Sequence, residues 1–174
     1  LDLGEKVTVQ GSRTGIAGAC VPRVGTVLNC SQMGGILGKG NDGQGVYMDV
    51  LPGTTLEEIR LEAGSKYFFP PDPTEKTASI GGMLATNAAG PSAYHYGTTA
   101  EYVSEADVLF PALGWMCVKR GNLVFSPQGE MMFPDGVNLK ISYLNPDEKR
   151  VIRQLLPEKN MDLLDLLAGS EGML

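Results

Sequence analysis

The chain has 174 residues, enough for one domain or one domain of two lobes, and at this size roughly 68–70% of the unfolded surface can be buried. A composition of 43% hydrophobic and 20% charged residues is that of an ordinary globular protein. A net charge of −6, with 14 scattered basic residues, excludes a nucleic-acid surface, which needs clustered Lys and Arg, and no apolar run approaches the ~18 residues of a membrane span.

Val7–Gln10 alternates and reads as a strand. It enters Gly11-Ser12-Arg13-Thr14-Gly15-Ile16-Ala17-Gly18, with three glycines in eight positions. Residues 26–30 read as a second strand, Gly34-Gly35 and 38–43 as loops, and Val46–Val50 as a third strand closed by Pro52-Gly53. Thr54 or Thr55 can cap a helix, with Glu57 and Glu58 three residues on, as in a capping box. Leu56, Ile59 and Ala63 give its apolar face and Gly64 its stop.

Residues 68–73 contain three prolines and are expected to be extended. Residues 79–89 read as a helix of small residues starting at Ser79-Ile80-Gly81-Gly82. From 108 to 143, short apolar segments (108–110, 116–118, 123–125, 131–133, 139–143) alternate with Gly, Pro and Asn turns, the pattern of an antiparallel meander. Asn145-Pro146-Asp147-Glu148 opens a helix with Val151, Ile152, Leu155 and Leu156 on one face. Asp162 can cap a last helix over 163–168, stopped by Gly169.

Glycine is about 13% of the chain (23 of 174), nearly double its usual ~7% share. The excess points to tight turns and to main chain lying close to a ligand. The 11–18 loop has two readings, a tight turn or a pyrophosphate cradle of converging N–H groups. It is neither the G-x-G-x-x-G dinucleotide fingerprint nor a Walker loop. The start of the 79–89 helix likewise offers either an anion site at a helix N-terminus or close packing through small residues. Two such features some 65 residues apart suit a long ligand with a central pyrophosphate.

Cys20, Cys30 and Cys117 have no metal-ligand spacing, and an odd number speaks against a disulfide framework. A reduced, cytoplasmic setting is the simpler expectation. His95 is the only histidine, so a histidine metal cluster is excluded; it reads as a hydrogen-bonded loop residue. Asp72 stands between prolines and is either a turn-forming acid or a ligand contact.

Five segments in order resemble a known family: Val-Gln-Gly-Ser-Arg-Thr-Gly-Ile-Ala-Gly (9–18), Pro-Pro-Asp-Pro (70–73), Ala-Ser-Ile-Gly-Gly-Met-Leu-Ala-Thr-Asn-Ala-Ala-Gly (78–90), Tyr-Gly-Thr (96–98) and Gly-Ser-Glu-Gly-Met-Leu (169–174). The chain resembles the PCMH-type flavin-binding domain of FAD-linked oxidases, the group of vanillyl-alcohol oxidase and p-cresol methylhydroxylase. Within it, the D-lactate dehydrogenase and glycolate oxidase branch is the most similar.

The resemblance implies an α+β FAD-binding fold over 1–174. A small parallel β/α lobe would cover about 1–105 and an antiparallel lobe about 106–174. It implies that Gly11, Ser12, Arg13, Thr14, Gly15 and Ile16 cradle the FAD pyrophosphate. Pro71 and Asp72 would line the other side with Ser79, Ile80, Gly81, Gly82, Thr86, Asn87 and Gly90. Tyr96-Gly97 and Glu171-Gly172 would complete the pocket. Valine at Gly81 or Gly82 is then expected to abolish FAD binding while the fold survives. Some members tether FAD through a histidine in the first loop; Ser12, Arg13 and Thr14 stand there instead, so FAD is expected to be non-covalent.

The activity implied is oxidation of a 2-hydroxyacid, such as D-lactate or glycolate, by hydride transfer to flavin N5. An iron–sulfur or other electron-transfer subunit is the implied partner. The stretch before the first loop is shorter than usual for the family and the substrate-capping domain is not within these residues. A fragment inactive alone is therefore expected, and no catalytic base is assigned. Two alternatives stay open: the flavin subunit of a molybdenum hydroxylase, and a non-catalytic truncated scaffold.

Overall fold

The computed structural model describes residues 5–43, 45–111, 113–126, 130–133, 136–140 and 161–172. The chain divides into two units, Leu1–Tyr102 with Ala168–Leu174, and Val103–Leu167. The second unit is thus inserted into the first.

In the first unit, β1 (Val7–Gln10) pairs in parallel with β2 (Thr26–Asn29), in the register Val7↔Thr26 to Gln10↔Asn29. β3 (Ile36–Asn41) and β4 (Val46–Val50) form an antiparallel hairpin with an irregularity between Ile36 and Gly38. The glycines at 38 and 40 made this stretch read as loop. The structure corrects that: the Tyr47 ring crosses the strand at Gly40, filling the space its missing side chain leaves.

α1 (Leu56–Ala63) starts where expected. Thr55 is its cap, Thr55 Oγ1 accepts the Glu58 N–H at 3.3 Å, and Glu58 accepts the Thr55 N–H at 2.7 Å. Gly64 ends it, donating to the Arg60 and Leu61 carbonyls. Leu56, Ala78 and Met83 form a buried cluster, with Phe69, Ile80 and Ala88 packed on it. Burying a side chain the size of Leu56 or Met83 stabilises by roughly 1.5–3 kcal/mol.

α2 (Ile80–Ala85) is shorter than the 79–89 helix expected. Asn87 takes a left-handed φ of 45°, which stops the helix, and the Ala88 N–H donates back to the Met83 carbonyl. Two short pieces follow, α3 (Ala93–Tyr96) and a 3-10 turn at Thr99–Tyr102.

Among the described residues, the strands of the second unit pair as two antiparallel hairpins rather than one meander: β5 (Glu105–Phe110) with β6 (Gly114–Lys119), and β7 (Glu130–Met132) with β8 (Asn138–Lys140). The 123–125 segment, expected as a strand of that meander, makes one isolated bridge instead, Val124 to Asp162. α4 (Leu163–Leu167) packs Leu163 and Leu164 against Val118, Leu123, Phe125, Met131 and Phe133. Asp162 is buried; its carboxylate accepts the Leu164 N–H at 2.8 Å and the Gly121 N–H. The helix expected after Asn145 lies outside the described residues. Among those described, no helix is long and apolar enough to cross a membrane.

Candidate cofactor site

All the expected site residues belong to the first unit. The glycine loop leaves the carboxyl end of β1, the end at which parallel strands present their ligands. Its base is closed by Gln10, whose side-chain amide donates to the Cys20 carbonyl at 2.7 Å and whose own carbonyl accepts the Cys30 N–H at 2.7 Å. Arg13 is held at φ 60°. Gly15 lies on the open side: a Cβ built there meets nothing within 4 Å. Ile16 stands fully exposed beside it, and Thr14 is half-buried.

The loop is joined to the start of α2, 67 residues away. The Ser12 N–H donates to Ser79 Oγ at 3.3 Å. Ser79 is 2% exposed and makes no side-chain cap bond to its own helix. Gly11 faces the same hydroxyl so closely that a Cβ would overlap it. Two segments expected to share a ligand are therefore neighbours.

The helix start itself departs from expectation. Ile80 N–H donates to the Thr54 carbonyl at 2.8 Å and Gly81 N–H to the Pro52 carbonyl at 2.9 Å. Two of the first-turn donors are thus spent on main chain and cannot serve an anion. A Cβ on Gly81 would sit 2.8 Å from Pro52 Cβ and 3.0 Å from its carbonyl oxygen. Gly82 lies 3.0 Å, by the same measure, from Ser79 Oγ. Close packing explains Gly81, and the expectation that valine there would leave the fold intact is corrected.

At the other end of α2, Thr86 Oγ1 donates to the Gly82 carbonyl at 2.9 Å, within its own helix. Asn87 Oδ1 accepts the Ala100 N–H at 3.0 Å. The 168–172 segment docks here: Gly169 N–H reaches the Leu84 carbonyl at 3.0 Å and Glu171 N–H the Ala85 carbonyl at 2.8 Å. Glu171, like Arg13 and Asn87, has a positive φ, 51°. These are the three non-glycine residues so strained among those described, and such strain collects where chains serve ligands. Gly172 follows with open space at its Cβ.

Pro71 is fully buried, and Asp72 pairs with Arg60 at 2.9 Å. Gly90 lies directly against the Asp72 carbonyl, where a Cβ would overlap it. The Tyr96 carbonyl accepts the Tyr102 hydroxyl at 2.6 Å; burial, then the charge of Glu101, pushes that phenol above its usual value. Gly97 caps α3 at φ 78°, against the Glu101 carboxylate. His95, read as a loop residue, sits in α3 with its ring edge-on to Tyr96, centroids 4.5 Å apart.

A cleft of about 590 Å³ runs beside β1, lined by Lys6, Val7, Thr8, 17–19, Val21, Arg23, Val24 and Glu171. Lys6 and Arg23 carried no sequence signal: each is a lone cation flanking a strand. Arg60 was also missed, since its partner Asp72 lies on another segment.

An open glycine loop bonded to a helix start, with strained residues in the loop and at the far end of that helix, defines a domain built to hold a dinucleotide cofactor. The chain belongs to the FAD binding domain family, whose model matches residues 2–117. It is 32% identical over 169 residues to D-lactate dehydrogenase of Anaerostipes hadrus, covering 90% of this chain and 34% of that one. It is 34% identical over 98 residues to D-lactate dehydrogenase of Archaeoglobus fulgidus, covering 56% and 22%. Glycolate oxidase subunit GlcD of Bacillus subtilis is 34% identical over 106 residues, covering 59% and 22%. The chain thus spans between about a fifth and a third of the length of these relatives. Aclacinomycin oxidoreductase shares the fold, with a TM-score of 0.51 at 20% identity over 68% of this chain and 25% of that one.

Proposed function

We propose that the chain is the FAD-binding part of a flavoprotein that oxidises a 2-hydroxyacid such as D-lactate or glycolate. The observation that supports this most is the bond between Ser12 and Ser79, which brings two of the family's motifs together beside open space at Gly15. The names of three relatives supply the substrate class; nothing comparable favours a molybdenum hydroxylase subunit.

In this reading the 11–16 loop receives the pyrophosphate with main-chain N–H groups, and the 71–72, 86–90, 96–97 and 171–172 segments flank the rest. FAD, when bound, supplies the acceptor for the hydride. The chain's share is to bind and orient. Ser79 fixes the loop through Ser12, and the Thr54 and Pro52 carbonyls fix α2. Ser12, Arg13 and Thr14 offer no histidine for a covalent tether, so FAD is held non-covalently. Substrate grip and proton removal belong to parts of the whole protein outside these residues, as does an electron-transfer partner. A cytoplasmic setting agrees with three free cysteines.

Reconstitution tests the reading. The purified chain mixed with FAD and then desalted is expected to keep a flavin absorption spectrum, and acid precipitation is expected to release all the flavin. A colourless protein that takes up no FAD would refute the reading; flavin that stays with the pellet would refute the non-covalent part. The longer protein is expected to reduce its flavin with D-2-hydroxyacids and not with purines.

A further inference from the structure

We propose that Arg60 is the positioning residue of the 70–72 segment and, through it, of the flavin nucleotide; the proposal rests on the reading that this segment lines the FAD site. Arg60 lies in the last turn of α1, outside all five motifs. One nitrogen, Nη2, donates both to the Pro71 carbonyl at 3.1 Å and to Asp72 Oδ1 at 2.9 Å. The same guanidinium therefore holds main chain and side chain of adjacent residues.

The segment needs such a hold. Prolines at 70, 71 and 73 have no N–H to give, so helix or sheet pairing cannot fix it. What it offers is carbonyls and one carboxylate, and Arg60 takes one of each. The main chain of Gly90 also abuts the Asp72 carbonyl. Asp72 is thereby held between α1 and the end of the 78–90 motif.

The guanidinium is not a casual surface partner. Its side chain is 26% exposed, and its Nε is buried with no hydrogen-bond partner. An unpaired buried donor is unfavourable, and a lysine would avoid it. The single nitrogen Nη2 reaches both acceptors, so one end of the guanidinium fixes main chain and side chain together. Its two contacts with the segment are to Asp72 and Pro71, and Arg60 acts through them.

The test compares Arg60→Met, Arg60→Lys, Asp72→Asn and the Arg60→Met/Asp72→Asn double variant in the whole chain. FAD Kd and the visible circular dichroism of bound flavin are measured well below each variant's Tm. Arg60→Met is expected to raise Kd about tenfold, the scale of a lost charge-assisted bond, and to alter the flavin dichroism. Arg60→Lys should recover part of the affinity. The double variant should bind no worse than Arg60→Met, because both changes break one link. Unchanged Kd and dichroism, with only Tm lowered, would show a purely structural arginine and overturn the proposal. If Arg60→Met does not fold, Arg60→Gln decides: unchanged Kd and dichroism overturn the proposal, and a raised Kd with altered dichroism supports it. A wild-type chain that binds no FAD overturns the functional reading as well, a result distinct from wild-type and variants binding alike.

Discussion

At Gly15 an added side chain would enter open space, whereas at Gly81 and Gly90 it would run into the main chain of Pro52 and Asp72. Both regions are glycine-rich, and both lie in motifs shared with FAD-linked oxidases. One set of glycines keeps room for something outside the chain; the other lets parts of the chain approach one another. In the proposed reading, absence of a side chain serves ligand and fold separately, and the two uses can be told apart by mutation.

The largest effect is expected at the packed set. Gly90→Val should destabilise the ligand-free chain by about 3 kcal/mol, the upper range for overpacking, and Gly81→Val by somewhat less, since proline Cβ is the nearest atom there. Urea unfolding without FAD measures both. Normal stability in either variant would erase the contrast. Gly15→Ala should do the opposite: stability within about 0.5 kcal/mol of wild type, and FAD Kd raised about tenfold. Isothermal titration reads it, and an unchanged Kd would mean that the open space is not the ligand's.

The smallest effect is a control from α1, away from both sets. The Thr55 main-chain N–H, then the Thr55 hydroxyl, hold the Glu58 carboxyl below its ordinary value. Its stabilisation is present above the unfolded carboxylate value and lost as pH falls through the folded one. Glu58→Gln should cost less than about 1 kcal/mol at neutral pH, flatten the acid side of the Tm–pH curve, and leave FAD affinity alone. A curve as steep as that of wild type would remove Glu58 from the explanation.

α1 was legible because everything that defines it is local: a threonine, an acid three residues on, apolar residues at helical spacing, a terminal glycine. β3 was not, because Gly38 and Gly40 have the composition of a loop and only Tyr47, on the next strand, makes them a sheet. The motifs around Ser12 and Ser79 were readable, and so was their expected proximity. That the Ser79 hydroxyl accepts from Ser12 instead of capping its own helix, and that Pro52 and Thr54 take the helix's first donors, depends on residues far along the chain. The same holds for Arg60 and Asp72. In the second unit the apolar segments 108–110 and 116–118 marked β5 and β6, but the partner of Val124 is Asp162, and nothing near Val124 says so.

The bonds from Gly169 and Glu171 to the end of α2 have a consequence for biosynthesis. Leu84 and Ala85 leave the ribosome long before those donors are made. At about 5–20 residues per second, some 86 further residues take roughly 4–17 s. During that interval the nascent cofactor lobe must wait with one helix end unsealed while the inserted unit is translated. Chaperone recognition, or early capture by free FAD, would act in that window and not on the finished protein.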